Sequence, residues 1–182
     1  MKKIPIGISD FKKLITENYY YVDKTLFIKD IVEDGSSVIL MPRPRRFGKT
    51  LNMSILKYFY QKTEEDNKFL FENLNIQNHK EVMQKQGQYP VIYITFKDEK
   101  YSNFGDLKNG FKLLIANLYR NHDYLLDSDK LSDVEKNEFY NILNKEVNII
   151  HFSKSLYLLS SSLICGKDTP ISINGGGIAT CR

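Results

Sequence analysis

The residues at positions 43–50 are of the types that bind phosphate in many nucleotide-binding proteins. The segment reads Arg43-Pro44-Arg45-Arg46-Phe47-Gly48-Lys49-Thr50. A Gly-Lys-Thr at the start of a helix leaves backbone N–H groups and the positive end of the helix dipole facing an anion. Lys49 supplies a cation for the β and γ phosphates, and Thr50 supplies a hydroxyl for Mg²⁺. The segment therefore predicts a binding site for a nucleoside triphosphate.

The match to the Walker A pattern G-x-x-x-x-G-K-[ST] is relaxed, because the first glycine of the pattern falls on Arg43. A basic turn that binds no ligand would also account for these residues. The surrounding charge favours the phosphate site, since no acidic residue occurs from Gly35 to Lys62. The basic residues of the same stretch are Arg43, Arg45, Arg46, Lys49, Lys57 and Lys62.

Elements of suitable type flank this segment. The apolar run 38–41 before it is typical of a buried strand, and Leu51, Ile55 and Phe59 follow it at helical spacing. The run 91–96, opened by a proline, predicts a second strand. Three helical patterns follow that strand. Helices that alternate with buried strands are typical of an α/β fold with a parallel sheet.

Three segments, in this order, resemble the AAA-ATPase-like family of mostly bacterial proteins. They are Ile4–Phe11, Tyr19–Thr25 and Arg43–Leu51. In that family an arginine-rich loop stands where the first Walker A glycine would be. The resemblance extends over residues 4–171. Family members usually continue into a complete ATPase core and a domain similar to PD-(D/E)XK nucleases.

The resemblance implies a P-loop NTPase-like parallel sheet with flanking helices, and ATP with Mg²⁺ as the bound cofactors. The nucleotide-binding residues that it implies are Arg45, Arg46, Phe47, Gly48, Lys49, Thr50 and Leu51. Asp23, in the second segment, has two interpretations: a contact to the nucleotide, or the N-cap of a helix that ends at Gly35. The N-cap is the commoner role for an aspartate before a helix.

The C-terminal end departs from the family pattern. There the family has an apolar strand ending in Asp-Glu-Tyr-Asp-Thr-Pro-Ile, whose first carboxylates bind magnesium and activate water. Here Cys165 and Gly166 occupy those two positions, while Asp168 is retained. Thr50 and Asp168 are therefore the candidate metal ligands. A short deletion before Asp168 and an altered reading frame would both produce this departure.

We therefore expect a partial P-loop domain over residues 4–171, incomplete at its C-terminal end, and an irregular tail over 172–182. With only two convincing strands, the sheet would leave edges and apolar faces open. The loss of both carboxylates predicts weak or no ATP hydrolysis.

Composition is compatible with this interpretation. The chain has 182 residues, 42% of them hydrophobic, and a net charge of +4. That charge favours an anionic ligand but is too small for a general DNA-coating protein. No signal-peptide or membrane-spanning pattern occurs, so we expect a cytoplasmic location. Neither the cysteines nor the histidines have metal-ligand spacing. A non-enzymatic module that binds nucleic-acid phosphates through its basic loop is the competing function, and the sequence leaves the oligomeric state open.

Overall fold

The structure, a computed structural model, describes most of the chain and divides it into two compact units. One unit comprises residues 1–93 and 171–182, and the other comprises residues 94–170. The described residues are 2–44, 46–96, 101–129, 131–145, 149–164, 171–174 and 177–180.

In its described residues, the first unit is built from four α-helices, two 3₁₀ helices and a sheet. Its helices are α1 (Phe11–Thr16), α2 (Phe27–Glu33), α3 (Lys49–Tyr60) and α4 (Lys80–Met83). Two 3₁₀ helices, Asn67–Phe71 and Asn75–Asn78, lie between α3 and α4. The strands are β1 (Val38–Leu40), β2 (Val91–Ile94), β3 (Ile171–Asn174) and β4 (Gly177–Thr180).

The sheet has the strand order β1-β4-β3-β2. β4 pairs antiparallel with β1, with Val38 opposite Ala179, and antiparallel with β3, with Ile171 opposite Thr180. These pairings differ from the parallel sheet that the sequence predicts. Strands β3 and β4 also lie where we expected an irregular tail over 172–182. The expectation of irregular structure is thus wrong for residues 172–174 and 177–180.

The physical reason for that error lies in the pairing itself. A four-residue strand has little intrinsic preference for extended structure, and its formation is decided by its cross-strand neighbours. Ile173 has no exposed surface and belongs to the core of the unit, where β3 contacts α3. Strands β3 and β4 therefore form through tertiary contacts, which local sequence patterns do not predict.

Helix α3 is the centre of the first unit. Five consecutive residues, from Asn52 to Leu56, are buried, and so are Phe59 and Tyr60. The ring of Phe59 packs edge-on against Phe71, with centroids 5.4 Å apart. The predicted stripe of Ile55 and Phe59 is confirmed, but burial extends around more of the helix than a single stripe requires.

The second unit is helical in its described part. Its helices are α5 (Phe104–Arg120), α6 (Asp133–Leu143) and α7 (Ile149–Ile164). Asn103 caps α5, and Ser132 forms a capping box with Glu135 at the start of α6. The ring centroids of Tyr119, on α5, and Phe139, on α6, lie 4.6 Å apart. The three helices that the apolar spacing predicts are all present.

Candidate functional site

The first turn of α3 presents free backbone donors. Gly48 precedes the helix in the left-handed conformation, at φ 73°, and no side chain caps the helix start. The N–H of Asn52 is the first that bonds within the turn, to the Gly48 carbonyl at 2.9 Å. Among the described residues, the N–H groups of Lys49, Thr50 and Leu51 have no acceptor. Three donors at a helix start are the arrangement that binds anions.

The loop before α3 is bent to bring its backbone to that helix start. Arg46 is also left-handed, at φ 70°, and the Phe47 N–H donates to the Pro44 carbonyl at 3.4 Å. Left-handed residues in such loops direct N–H groups toward a common concave side. A Cβ at Gly48 would meet nothing within 4 Å, so the space beside the loop is open. The loop therefore leaves room for a ligand on this side.

The loop and the first residue of α3 carry exposed positive side chains. Arg43, Arg46 and Lys49 are all exposed. In the part of the chain that the structure describes, none of the three forms a salt bridge. Cα–Cβ bonds in a helix tilt toward its N-terminus, so Lys49 at the first helical position can reach an anion there. Three cations with no internal carboxylate partner favour an external anion.

The side chains of Phe47 and Leu51 differ in their surroundings. The Phe47 side chain is 63% exposed, whereas Leu51 is half-buried and packs against the core of the unit. Leu51 therefore fixes the start of α3. Phe47 leaves an aromatic face at the loop.

Thr50 is the one candidate metal ligand within the described residues. Its side chain is half-buried, and a hydroxyl at this helix position suits a Mg²⁺ ion bound to phosphate. No group of three His, Cys, Asp or Glu side chains that could hold a metal occurs in the described ranges. Mg²⁺ is usually held by one or two carboxylates together with substrate phosphates. Arg45, Cys165, Gly166 and Asp168, which the sequence analysis singled out, lie outside the described residues.

The N-terminal segment Ile4–Phe11 ends against α3. The Phe11 N–H donates to Ser54 Oγ at 2.9 Å, and the Tyr58 hydroxyl donates to Asp10 Oδ2 at 3.0 Å. Asp10 also caps α1 through the Lys13 N–H. The segment therefore anchors α3 through Ser54 and Tyr58. Neither residue was predicted from the sequence, because the spacing of apolar residues carries no information about polar contacts.

Lys57 lies on α3 between two aromatic rings. Its ammonium group is 5.2 Å from the centroid of the Tyr58 ring and 5.4 Å from that of Tyr93. Burial lowers the pKa of Lys57, and the negative charge of Asp10 partly opposes that effect. The rings hold the cation by cation–π attraction. Lys57 is thus a packed side chain, whereas Lys49 is available to a ligand.

Asp23 has a structural role that differs from the expected N-cap. Its Oδ1 accepts from the Thr25 N–H at 2.8 Å and from the Thr25 hydroxyl at 2.7 Å. Its Oδ2 accepts from the Asn75 N–H at 2.6 Å. The residue before α2 is Leu26, which makes no side-chain cap. The expected N-cap is therefore wrong, and Asp23 instead fastens the Tyr19–Thr25 segment to the 3₁₀ helix at Asn75.

The fold and the site together define a strand, a basic loop and a helix whose first turn has backbone donors without acceptors in the described structure. Residues 5–159 match the family model described as a predicted AAA-ATPase. The chain belongs to this AAA-ATPase-like family.

Comparison with known proteins adds one relative. An uncharacterized protein from the vnfD 5' region of Azotobacter chroococcum mcd 1 is 38% identical over 96 residues. The match covers 52% of this chain and 17% of that relative. No solved structure matches the chain. No helix in the described ranges is long and apolar enough to cross a membrane.

Proposed function

We propose that this chain is an ATP-binding module whose phosphate site is the N-terminus of α3. The observation that carries the proposal is the left-handed Gly48 before a helix whose first three N–H groups lack acceptors in the described structure. Membership of the AAA-ATPase-like family supports the same ligand. We also propose that the sequence from β1 through α3 corresponds to the first part of a P-loop NTPase-like fold, which residues 4–171 contain incompletely.

Each residue of the loop has a part in this proposal. The N–H groups from Lys49 to Leu51 donate to the β-phosphate oxygens, and the Lys49 ammonium neutralises charge shared by the β and γ phosphates. Arg45 and Arg46 add positive charge that attracts the triphosphate. Phe47 adds an exposed aromatic ring to the loop. Thr50 would hold Mg²⁺, which when bound offsets the negative charge of the phosphates.

We propose weak or no hydrolysis for this chain. Phosphoryl transfer depends on positioned charges, and Cys165 and Gly166 replace the residues that would bind the metal and activate water in the family. General-base assistance alone contributes about 10²- to 10⁴-fold to a rate. Purified protein should therefore bind ATP without steady phosphate release. Turnover that is lost in Asp168→Ala would contradict this and make Asp168 a metal ligand.

Lys49→Ala tests the phosphate site. A hydrogen bond to a charged group contributes about 1.5–3 kcal/mol, so the variant should bind Mg-ATP roughly 10- to 150-fold more weakly. Calorimetric titration of both proteins measures this difference. Lys62→Ala is the matched control, because Lys62 lies beyond the end of α3. Equal Mg-ATP affinities for the Lys49→Ala variant and the parent protein would refute the assignment.

A second titration separates ATP from nucleic-acid phosphates, the competing ligand that the basic loop suggests. Nucleic acid releases counterions when it binds, so its affinity falls steeply as salt rises. ATP binding should instead depend on Mg²⁺, and Thr50→Ala should reduce that dependence. Salt-sensitive binding of a single-stranded oligonucleotide that Mg-ATP fails to displace would favour the competing function.

A further inference from the structure

Strand β1 forms one end of the sheet in the first unit. In the strand order β1-β4-β3-β2 it lies beside β4, so its other edge has no neighbouring strand among the described residues. Its side chains are also open to solvent, since Val38 is 66% and Leu40 is 70% exposed. The strand at the other end of the sheet differs, because Val91 and Ile92 of β2 are buried. An open edge is a surface to which a further strand can be added.

β1 carries no charged residue that would protect its edge, although charges are a common protection of edge strands. Residues 35–42 are all uncharged, and the nearest charges lie at the two ends of that stretch. Asp34 precedes it and Arg43 follows it, and both side chains are exposed. Pro42 has no N–H, so a new ladder of hydrogen bonds is limited to β1 and the residues next to it.

The opposite charges at the two ends of this stretch select the direction of a partner strand. An antiparallel neighbour brings the beginning of one strand beside the end of the other. A second copy of this chain, placed antiparallel, would therefore bring Arg43 near Asp34 at both ends. A parallel copy would bring like charges together, which is unfavourable. In the described part of the chain, neither residue forms an ion pair of its own.

We propose that two copies of this chain form a twofold dimer by pairing their β1 strands antiparallel. A twofold axis makes the two sets of contacts identical, so the register that overlaps the whole strand places Ile39 opposite Ile39. Val38 of each copy then lies opposite Leu40 of the other, and both exposed apolar side chains gain a cross-strand neighbour. A strand from another protein would need the same order of charges, which a second copy has by its own sequence.

Sedimentation velocity over a wide range of protein concentration tests for the dimer. The parent protein should show an equilibrium between monomer and dimer, of modest affinity because β1 has only three residues. Association should stop at two copies, because the twofold arrangement uses the open edge of both. A protein that stays monomeric up to its solubility limit would overturn the proposal. Growth into assemblies larger than a dimer would overturn it as well.

Charge substitutions in β1 test the register. Val38→Lys with Leu40→Lys places like charges directly opposite each other and should weaken dimerisation about tenfold. Val38→Glu with Leu40→Lys changes the same exposed positions but places opposite charges across the pair, so its dimer affinity should stay close to that of the parent. Equal dimer affinities for these two variants would refute the antiparallel pairing.

A matched control separates this effect from a general change in charge. Ile6→Lys with Val22→Lys adds the same two charges at exposed apolar positions outside β1. This variant should dimerise as the parent does. A loss of dimerisation equal to that of the β1 lysine variant would show that net charge alone drives the result, and would overturn the proposal.

The strand ends provide a second test, which leaves β1 itself unchanged. Arg43→Glu places a carboxylate near Asp34 of the other copy and should weaken dimerisation about fivefold. Adding Asp34→Arg reverses both charges and should restore the dimer. Circular dichroism of each variant establishes that it is folded. A dimer that Arg43→Glu leaves unchanged, or that the double reversal fails to restore, would contradict the proposed contact and its register.

Discussion

Gly48 links backbone geometry to ligand binding at the scale of single residues. Its φ of 73° lies in the left-handed region, where a side chain costs about 1–2 kcal/mol. Space is not the obstacle, because nothing lies within 4 Å of a Cβ built there. The requirement for glycine is therefore conformational, and it concerns the direction of the N–H groups at the start of α3.

Gly48→Ala should move the loop away from this conformation. Binding ATP would require the alanine to return to the left-handed conformation, at a cost of about 1–2 kcal/mol. That cost corresponds to an ATP affinity about 5- to 30-fold weaker, since tenfold equals about 1.4 kcal/mol. Gly35→Ala is the matched control, because Gly35 also has open space around its Cβ position but has no positive φ. Calorimetry on both variants measures the effect. Identical ATP affinities for the two variants would contradict the role given to Gly48.

The Asp23 carboxylate stabilises the fold by accepting hydrogen bonds. Three donors, two on Thr25 and one on Asn75, bond to its carboxylate. Asp23→Ala leaves these donors without their acceptor and should lower the free energy of unfolding by about 2–3 kcal/mol. Asp34→Ala should cost much less, because Asp34 accepts from the Ser36 N–H at an exposed turn.

Denaturant unfolding of the two aspartate variants tests this difference. ATP affinity measured well below the unfolding midpoint should be unchanged in Asp23→Ala, because its partners lie in the Thr25 and Asn75 segments rather than in the loop. A variant as stable as the parent but unable to bind ATP would instead make Asp23 a nucleotide contact.

At the scale of elements, the C-terminal strands complete the sheet of the first unit. β1 pairs with β4, and β3 places Ile173 in the core with no exposed surface. β1 itself remains partly open, since Val38 is 66% and Leu40 is 70% exposed. Strand β1, which precedes the basic loop, therefore depends on β4 for its described pairing.

Ile173→Ala should destabilise the first unit by about 2–5 kcal/mol, the usual cost of removing a buried aliphatic side chain. Ile6→Ala is a control of the same chemistry at an 89% exposed position and should change stability by less than about 0.5 kcal/mol. Urea unfolding of both variants provides the comparison. Equal unfolding midpoints would mean that β3 contributes nothing to the core.

At the scale of the whole molecule, buried tyrosines make stability sensitive to alkali. Burial raises the pKa of Tyr21 to about 12, and it raises the pKa of Tyr58, Tyr60 and Tyr119 above the ordinary value as well. A group with a raised folded pKa contributes stability that is present below its unfolded pKa and is lost as pH rises toward the folded value.

Stability should therefore fall as pH rises from about 10, where tyrosines of the unfolded chain ionise. Lys57 has the opposite effect on stability. Burial lowers its pKa, so the cost of burying its charge disappears as the pH rises and the lysine loses its proton. Four tyrosines oppose this single lysine, so we expect a net loss of stability. Unfolding midpoints measured between about pH 9 and about pH 11.5 test this. A midpoint that stays constant over that range would contradict the burial of these hydroxyls.

The sequence predicts some parts of this molecule much better than others. The helices α3, α5, α6 and α7 follow from apolar residues three and four positions apart, a signal that is local in the chain. The start of α3 at Lys49 also follows from the sequence, because the Gly-Lys-Thr motif acts within a few neighbouring residues. Strands β3 and β4 do not follow, because their pairing with β1 joins residues far apart in sequence. The anchoring by Ser54, Tyr58 and Asp23 is equally non-local.

The most direct test of the account is an NMR titration of the ¹⁵N-labelled protein with Mg-ATP. The amide signals of Gly48, Lys49, Thr50 and Leu51 should shift progressively, because their N–H groups would bond to phosphate. Ile115, in the core of the second unit, serves as an internal reference and should not shift. Shifts confined to residues outside the loop, or no shifts at saturating Mg-ATP, would contradict a phosphate site at the N-terminus of α3.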